Sequence, residues 1–266
     1  INSVDISSIS SKLSNIFSEI VKDKSGNLWI AAFNEGLSMI DLNKPLIQNY
    51  SFPSIREKTG FITNIKNIYE DGDGDLWIDQ NRWGVGIFNP GTNKLQLYTD
   101  IPSLKNVPNL RNISCIISVP LLNEIWLGSE YYPEIYRVKK EKDRIELLGT
   151  LNLSNYADNP GFPRIFYEDS KHNLWVVTTK GILVKPEKEK NLQDTKFPSM
   201  DITGIGEGKD GTLWIGTRKQ GVYNAIVSSN LTFEKKGLKN LTTQTDKLVS
   251  DNIGAICIDD NGLMWL

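Results

Sequence analysis

The sequence predicts an all-β chain, a β-propeller of four-stranded antiparallel blades with about five full blades plus partial ones, forming a single segment over residues 1–266. Two recurrences and one absence predict it. A tryptophan-centred motif returns at long, nearly even intervals, an isoleucine anchor precedes it at an almost fixed distance, and helical periodicity appears nowhere over a useful window.

The tryptophan motif reads KDKSGNLWIAAFNEGL from Lys22, EDGDGDLWIDQNRWGV from Glu70, EDSKHNLWVVTTKGIL from Glu168, GKDGTLWIGTRKQGV from Gly208 and IDDNGLMWL from Ile258. A sixth copy, LLNEIWLGSE, keeps Trp126 but lacks the Asp and Gly before it. Trp29, Trp77, Trp126, Trp175, Trp214 and Trp265 are thus spaced by 48, 49, 49, 39 and 51 residues. The second anchor is NIKNI, NISCI, DITGI or NIGAI, with NIFSEI and GFPRI as looser versions, and its last Ile precedes the Trp by 9 or 10 residues.

Each unit reads as four strands: the N-I-x-x-I run, the L-W-I-x-T run after an Asp/Gly turn, a run after the G-[LV] pair, and a variable last strand such as KLQLYTD or RIELLGT. One such sheet cannot bury both faces alone. Units of this length solve the problem by packing face to face around an axis. The Leu-Trp pairs then wedge between neighbouring blades, each indole contributing about 1.5–3 kcal/mol of apolar burial.

DGDGDLWI, residues 71–78, poses a choice. Asp71, Asp73 and Asp75 alternate as hard oxygen ligands for Ca²⁺ do, although no distal Glu completes an EF-type loop. The equivalent stretches DKSGNLW, DSKHNLW, KDGTLW and DDNGLMW show the first Asp and the Gly to be turn residues that recur between blades, Gly supplying a positive φ and Asp an Asx-type bond. No metal and no cofactor are therefore expected, with these three carboxylates kept as a weak metal candidate.

INSVDISSI reads as an outer strand and NIGAICIDDNGLMWL as the two inner strands of a last blade, so an incomplete ring within a longer protein is expected. Shorter or reshaped outer strands are expected in the blade around Trp126, which lacks the turn residues, and where Trp214 follows Trp175 by only 39. Cys115 and Cys257 lie far apart in apolar strand-like runs, which suits two solitary buried thiols and no disulfide scaffold.

Thirty Lys and Arg against 32 Asp and Glu leave a formal charge of −2, so no cationic field attracts nucleic acid or an anionic membrane surface. No apolar run approaches the roughly 18 residues of a spanning helix, and INSVDISSIS lacks the order of a signal peptide. Targeting elements are expected elsewhere in a longer chain.

The combination D-x-x-G-x-L-W-I-G-T-x-x-x-G-[LV], clearest as KDGTLWIGTRKQGV from Lys209 to Val222, resembles the two-component regulator propeller repeat of bacterial hybrid sensors. The resemblance covers almost the whole chain. It implies a propeller of about seven blades on the periplasmic side of an inner-membrane protein, with a further propeller, an immunoglobulin-like domain, a membrane helix and a histidine kinase in the same chain. In the hybrid type of gut Bacteroidetes a receiver and a DNA-binding module are fused to these. It also implies detection of oligosaccharides released from complex glycans.

In a propeller one face carries the loops entering each first strand and those joining the second strand to the third. The second set is Phe33-Asn34-Glu35, Gln80-Asn81-Arg82-Trp83, Ser129-Glu130-Tyr131-Tyr132, Thr178-Thr179-Lys180 and Arg218-Lys219-Gln220; the first includes Asn64, Arg111, Asn112 and Arg164. Trp83 is the one tryptophan of seven outside the repeat register. With Asn81, Arg82, Tyr131 and Tyr132 it supplies the stacking faces and hydrogen-bonding groups that sugars need, and Lys180, Arg218 and Lys219 favour an acidic sugar. The same residues also suit solvated loops, with Trp83 covering a hairpin or touching a second propeller.

Enzymatic readings are weaker. The turn also resembles the Asp-box hairpin of sialidases, and Arg82, Arg111, Arg164 and Arg218 come from different blades, yet no Tyr/Glu nucleophile pair is identifiable. His172 is the only histidine and sits in the turn DSKHNLW at the opposite end of its blade, which leaves a Ser-His-Asp apparatus without a second candidate. A pyrroloquinoline-quinone enzyme needs calcium ligands and repeat signatures that are missing. The expected segment is a non-catalytic sensor; the alternative is an interaction scaffold or homodimerising propeller.

Overall fold

The computed structural model describes residues 17–32, 36–41, 46–50, 65–80, 84–107, 109–141, 144–259 and 261–266. The expected outer strand INSVDISSI lies outside them. The chain divides into two compact units, one of Ile1–Leu127 with Arg137–Gly149, the other of Gly128–Tyr136 with Thr150–Leu266.

Five four-stranded sheets and one two-stranded sheet are present among the described residues, and each four-stranded sheet keeps its strands in chain order. The first two sheets, in the first unit, are β1 (Phe17–Lys22), β2 (Leu28–Ala32), β3 (Gly36–Asp41) and β4 (Leu46–Tyr50), then β5 (Ile65–Glu70), β6 (Leu76–Gln80), β7 (Gly84–Asn89) and β8 (Lys94–Leu97). The third is β9 (Ile113–Val119), β10 (Glu124–Ser129), β11 (Glu134–Glu141) and β12 (Arg144–Asn152). The second unit holds β13 (Pro163–Glu168), β14 (Leu174–Thr178), β15 (Ile182–Lys185) and β16 (Gln193–Asp194), then β17 (Ile202–Glu207), β18 (Leu213–Thr217), β19 (Val222–Val227) and β20 (Phe233–Leu241), then β21 (Cys257–Ile258) paired with β22 (Met264–Trp265). Among the described residues no helix is long and apolar enough to cross a membrane.

The short Trp175 to Trp214 interval appears as the two-residue β16. The Trp126 sheet departs from expectation: its outer strand β12 runs for nine residues. The missing Asp and Gly belong to the β9–β10 connection, at the other side of the sheet from β12, so their loss leaves the outer strand intact.

Two of the indoles pack against rings of the next sheet. In the first unit Trp29 of β2 meets Phe88 of β7 in the next sheet at 6.3 Å between ring centroids, and Tyr50 closes the cluster at 5.0 Å from Phe88. In the second unit Trp175 of β14 meets Phe233 of β20 at 5.6 Å, and Phe197 lies 5.0 Å from Phe233. Trp29, Trp77, Trp126 and Trp175 are buried, whereas Trp265 is 51% exposed. Cys257 corrects the expectation of two buried thiols: Cys115 is buried, but Cys257 is exposed because the two-stranded β21–β22 sheet gives it no third strand to pack under.

The turn aspartate has a second task that explains its fixed distance from the Trp. Six residues ahead of the indole, its carboxylate accepts the Nε1–H: Asp23 from Trp29 at 2.8 Å, Asp71 from Trp77 at 2.9 Å, Asp169 from Trp175 at 2.9 Å and Asp259 from Trp265 at 3.2 Å. A buried indole N–H needs such a partner. The Trp126 sheet solves the problem differently, with Glu124 of the same strand accepting the indole at 2.9 Å and Arg137 Nε at 2.8 Å. In the fifth sheet Gly208 occupies the aspartate position, and Asp210 bonds Thr212 in the turn.

Asp169 carries four such bonds, from the Lys171 and Asn173 amides, the Asn173 side chain and Trp175. Asp169→Ala is expected to cost about 2–4 kcal/mol in urea denaturation, because it strands a buried N–H and unfastens the turn. The solvent-exposed Asp210→Ala costs under about 1 kcal/mol in the same assay.

Candidate functional site

The second unit presents the loops on which a ligand face depends. The repeat's Thr, last residue of the L-W-x-x-T strand, fastens the loop that follows it. Thr178 Oγ1 accepts the Lys180 and Gly181 amides at 3.1 and 3.0 Å, and Thr217 Oγ1 accepts the Gln220 amide at 2.9 Å. Both threonines are 1% exposed, so the loops are held from beneath while Lys180, Arg218 and Lys219 stand on the surface.

Two of the expected arginines converge. Arg164, on β13, reaches Asp201 Oδ1 through Nη1 at 2.8 Å, and Arg218, just after β18, reaches Asp201 Oδ2 through Nε at 2.9 Å. The Arg218 amide also donates to the Asp201 carbonyl at 2.9 Å. A carboxylate of the protein thus occupies the position between the two guanidiniums. Tyr131 and Tyr132, in the β10–β11 connection, are 53% and 47% exposed, and the Pro133 carbonyl after them accepts the Leu153 amide at 2.7 Å. Phe162 is exposed as well, its backbone paired with Thr179.

Beside these loops lies a cleft of about 290 Å³, walled by Asp158, Asn159 and Pro160, by Lys180 and Gly181, and by Asp194, Lys196, Phe197 and Ser199. Lys196 Nζ donates to Asp194 Oδ2 at 2.7 Å, and this hydrogen bond raises the ammonium's pKa. Sequence reasoning found Lys180 and missed the rest. The repeat does not mark them, and only the D-N-P-G run at 158–161 signals a tight turn.

The other candidates are dispersed. Arg111 is exposed and Asn112 half-buried in the first unit. Phe33, Asn34, Glu35, Asn64, Asn81, Arg82 and Trp83 lie outside the described residues. His172 sits on its turn with Nδ1 2.7 Å from Glu168 Oε1, a bond that raises its pKa.

The alternating carboxylates of 71–75 do converge, on an ammonium group. Lys140 Nζ of β11 lies 2.6 Å from Asp71, 3.1 Å from Asp73 and 2.6 Å from Asp75, and its side chain is 7% exposed. Burial alone would raise the Asp71 carboxyl, but hydrogen bonds from Lys140 and Trp77 outweigh it and hold that pKa below the usual value. Burial likewise opposes the Lys140 charge, and the three aspartates override it and lift the pKa well above the ordinary lysine range. Among the described residues no group of three or more His, Cys, Asp or Glu is arranged to hold a metal.

Comparison with known proteins fits this architecture. Residues 196–219 match the model of the family described as two component regulator propeller. PorZ, an essential bacterial surface component of the type-IX secretion system of Porphyromonas gingivalis, aligns at 18% identity and a TM-score of 0.69 over 96% of this chain and 39% of its own. A putative 6-phosphogluconolactonase from Bacteroides uniformis aligns at 13% identity and 0.62 over 92% of this chain and 75% of its own. The extracellular domain of the putative hybrid two component system BT4673 from B. thetaiotaomicron aligns at 12% identity and 0.48, over 92% and 38%. The chain therefore spans about two fifths of the length of PorZ and of the BT4673 domain. No curated protein matches the sequence. The chain is a β-propeller segment, and it carries the two component regulator propeller repeat at residues 196–219.

Proposed function

We propose that this segment is the ligand-binding sensor propeller of a hybrid two-component signalling protein, lying in the periplasm and detecting oligosaccharides from complex glycans. The observation that carries the reading is the set of exposed residues in the second unit: Tyr131 and Tyr132 between β10 and β11, Phe162 and Arg164 at the start of β13, Lys180 after β14, and Arg218 and Lys219 after β18. Exposed aromatic faces beside fixed donors and acceptors are what sugar rings bind. The repeat at 196–219, which supplies part of this set, is the one described for two component regulators.

The segment itself binds without turnover. Its partners in the signalling protein are a further propeller and an immunoglobulin-like domain of the same chain, which pass the bound state to a histidine kinase. A saccharide changes the output only through different affinities for two arrangements of these domains.

The test is a melting-temperature screen with oligosaccharides. A ligand at about a hundred times its Kd is expected to stabilise the protein by about 2.7 kcal/mol. Tyr131→Ala with Tyr132→Ala is expected to weaken that ligand roughly tenfold or more. If no saccharide shifts the melting temperature and the chain self-associates, the scaffold reading replaces this one. Release of product from a fluorogenic glycoside would remove both.

A further inference from the structure

The saccharide reading leaves the ligand's charge open, and the cleft of the second unit addresses it. We infer that this cleft is the primary subsite, and that the ring it takes is an uncharged sugar rather than an acidic one; the inference rests on the sensor reading above.

Volume sets the scale. About 290 Å³ is at the small end of ligand pockets, which suits one ring of a longer saccharide rather than several. Ile182, Leu183 and Phe197 are buried and contribute the apolar lining, against which the C–H face of a sugar packs.

Charge sets the class. Two lysines, Lys180 and Lys196, face two aspartates, Asp158 and Asp194, and the Lys196 ammonium is already bonded to Asp194 at 2.7 Å. The guanidiniums nearest in the chain are matched in the same way, Arg164 and Arg218 both being held by Asp201. A uronate or sulfate entering here would meet two carboxylates and would have to draw Lys196 from its partner. A hydroxyl does neither: it donates to an aspartate and accepts from a lysine together, strengthening both bonds. Of the basic groups expected to select acidic sugars, Arg218 is thus held by a carboxylate that sequence spacing did not pair with it, and Lys180 shares the cleft with two aspartates.

Asn159 and Lys196, both exposed at the cleft, hold left-handed φ values of 49° and 60°.

The experiment is calorimetric titration of the whole chain with tetrasaccharides: manno-, xylo-, galacto- and gluco-oligosaccharides as neutral probes, oligogalacturonate as the acidic one. A neutral probe is expected to bind roughly tenfold or more tightly than the acidic one. Ser199→Trp, which fills the cleft from an exposed position, and Lys196→Gly, which relieves the backbone while removing the ammonium, are each expected to weaken it roughly tenfold without lowering the melting temperature. Preference for oligogalacturonate overturns the inference and leaves the sensor reading intact. So does neutral binding that neither variant changes, since the subsite then lies elsewhere on the face. Binding of no probe overturns both.

Discussion

Lys140→Met is expected to destabilise the protein by about 3–5 kcal/mol, the usual consequence of removing one partner from a buried ion cluster. Three carboxylates meet the one ammonium, and Asp71 and Asp75 are 4% and 14% exposed, so water cannot replace it. Without Lys140 the burial of Asp71 loses its main opposing interaction, the folded-state pKa of that carboxyl rises, and the variant loses less stability than the wild type as the pH is lowered through the carboxylate range. The variant should also melt at a higher temperature in millimolar Ca²⁺, since three alternating hard oxygen ligands are then left without their resident cation. Wild-type melts are expected to be indifferent to Ca²⁺. Thermal denaturation of both proteins with and without the ion measures all of this.

Glu19→Gln is expected to remove a pH dependence. Burial raises the Glu19 carboxyl to about 7, against the opposing bond in which it accepts the Ile68 amide of the neighbouring sheet. The folded state therefore holds this proton more tightly than the unfolded chain does. Its contribution to stability is complete below the unfolded value of about 4.5 and is lost as the pH rises through about 7. Allowing for partial exposure, that loss is about 1–3 kcal/mol. Glutamine keeps the acceptor for Ile68 and cannot ionise. Urea midpoints at pH 5 and pH 8 should differ in the wild type far more than in Glu19→Gln, and the variant should be the more stable at pH 8.

How far the sequence reaches is visible in these two residues. The sheets, their order and the packing of the indoles were legible because the Trp motif repeats, and a repeated unit exposes which of its positions are structural. Asp71 was readable as a turn residue for that reason; its partner Lys140 was not, because 65 residues and a change of sheet separate Lys140 from Asp75 and no copy of the repeat has an equivalent. The site suffers the same limitation. Lys180, Arg164 and Arg218 follow from loop positions, and Asp201, which holds both arginines, opens the DITGI anchor, whereas Lys196 and its partner Asp194 lie on or beside the short outer strand β16, which the repeat does not mark. Glu124 shows a milder form of it: the anchor for Trp126 was present in the sequence two residues away, but on the strand rather than in the turn, where the other copies place it.

That relocation has a consequence for how this protein changes over time. In the first, second and fourth sheets the corner between the first two strands is tied to a buried indole, so lengthening or shortening it would pull the wedge from its seat. In the third, the Pro120–Leu122 turn bears no such tie, and Leu121 projects into solvent at 63% exposure. Insertions and deletions there leave Trp126 seated, which makes this corner the natural graft point, where new recognition loops arise by evolution or are added by design.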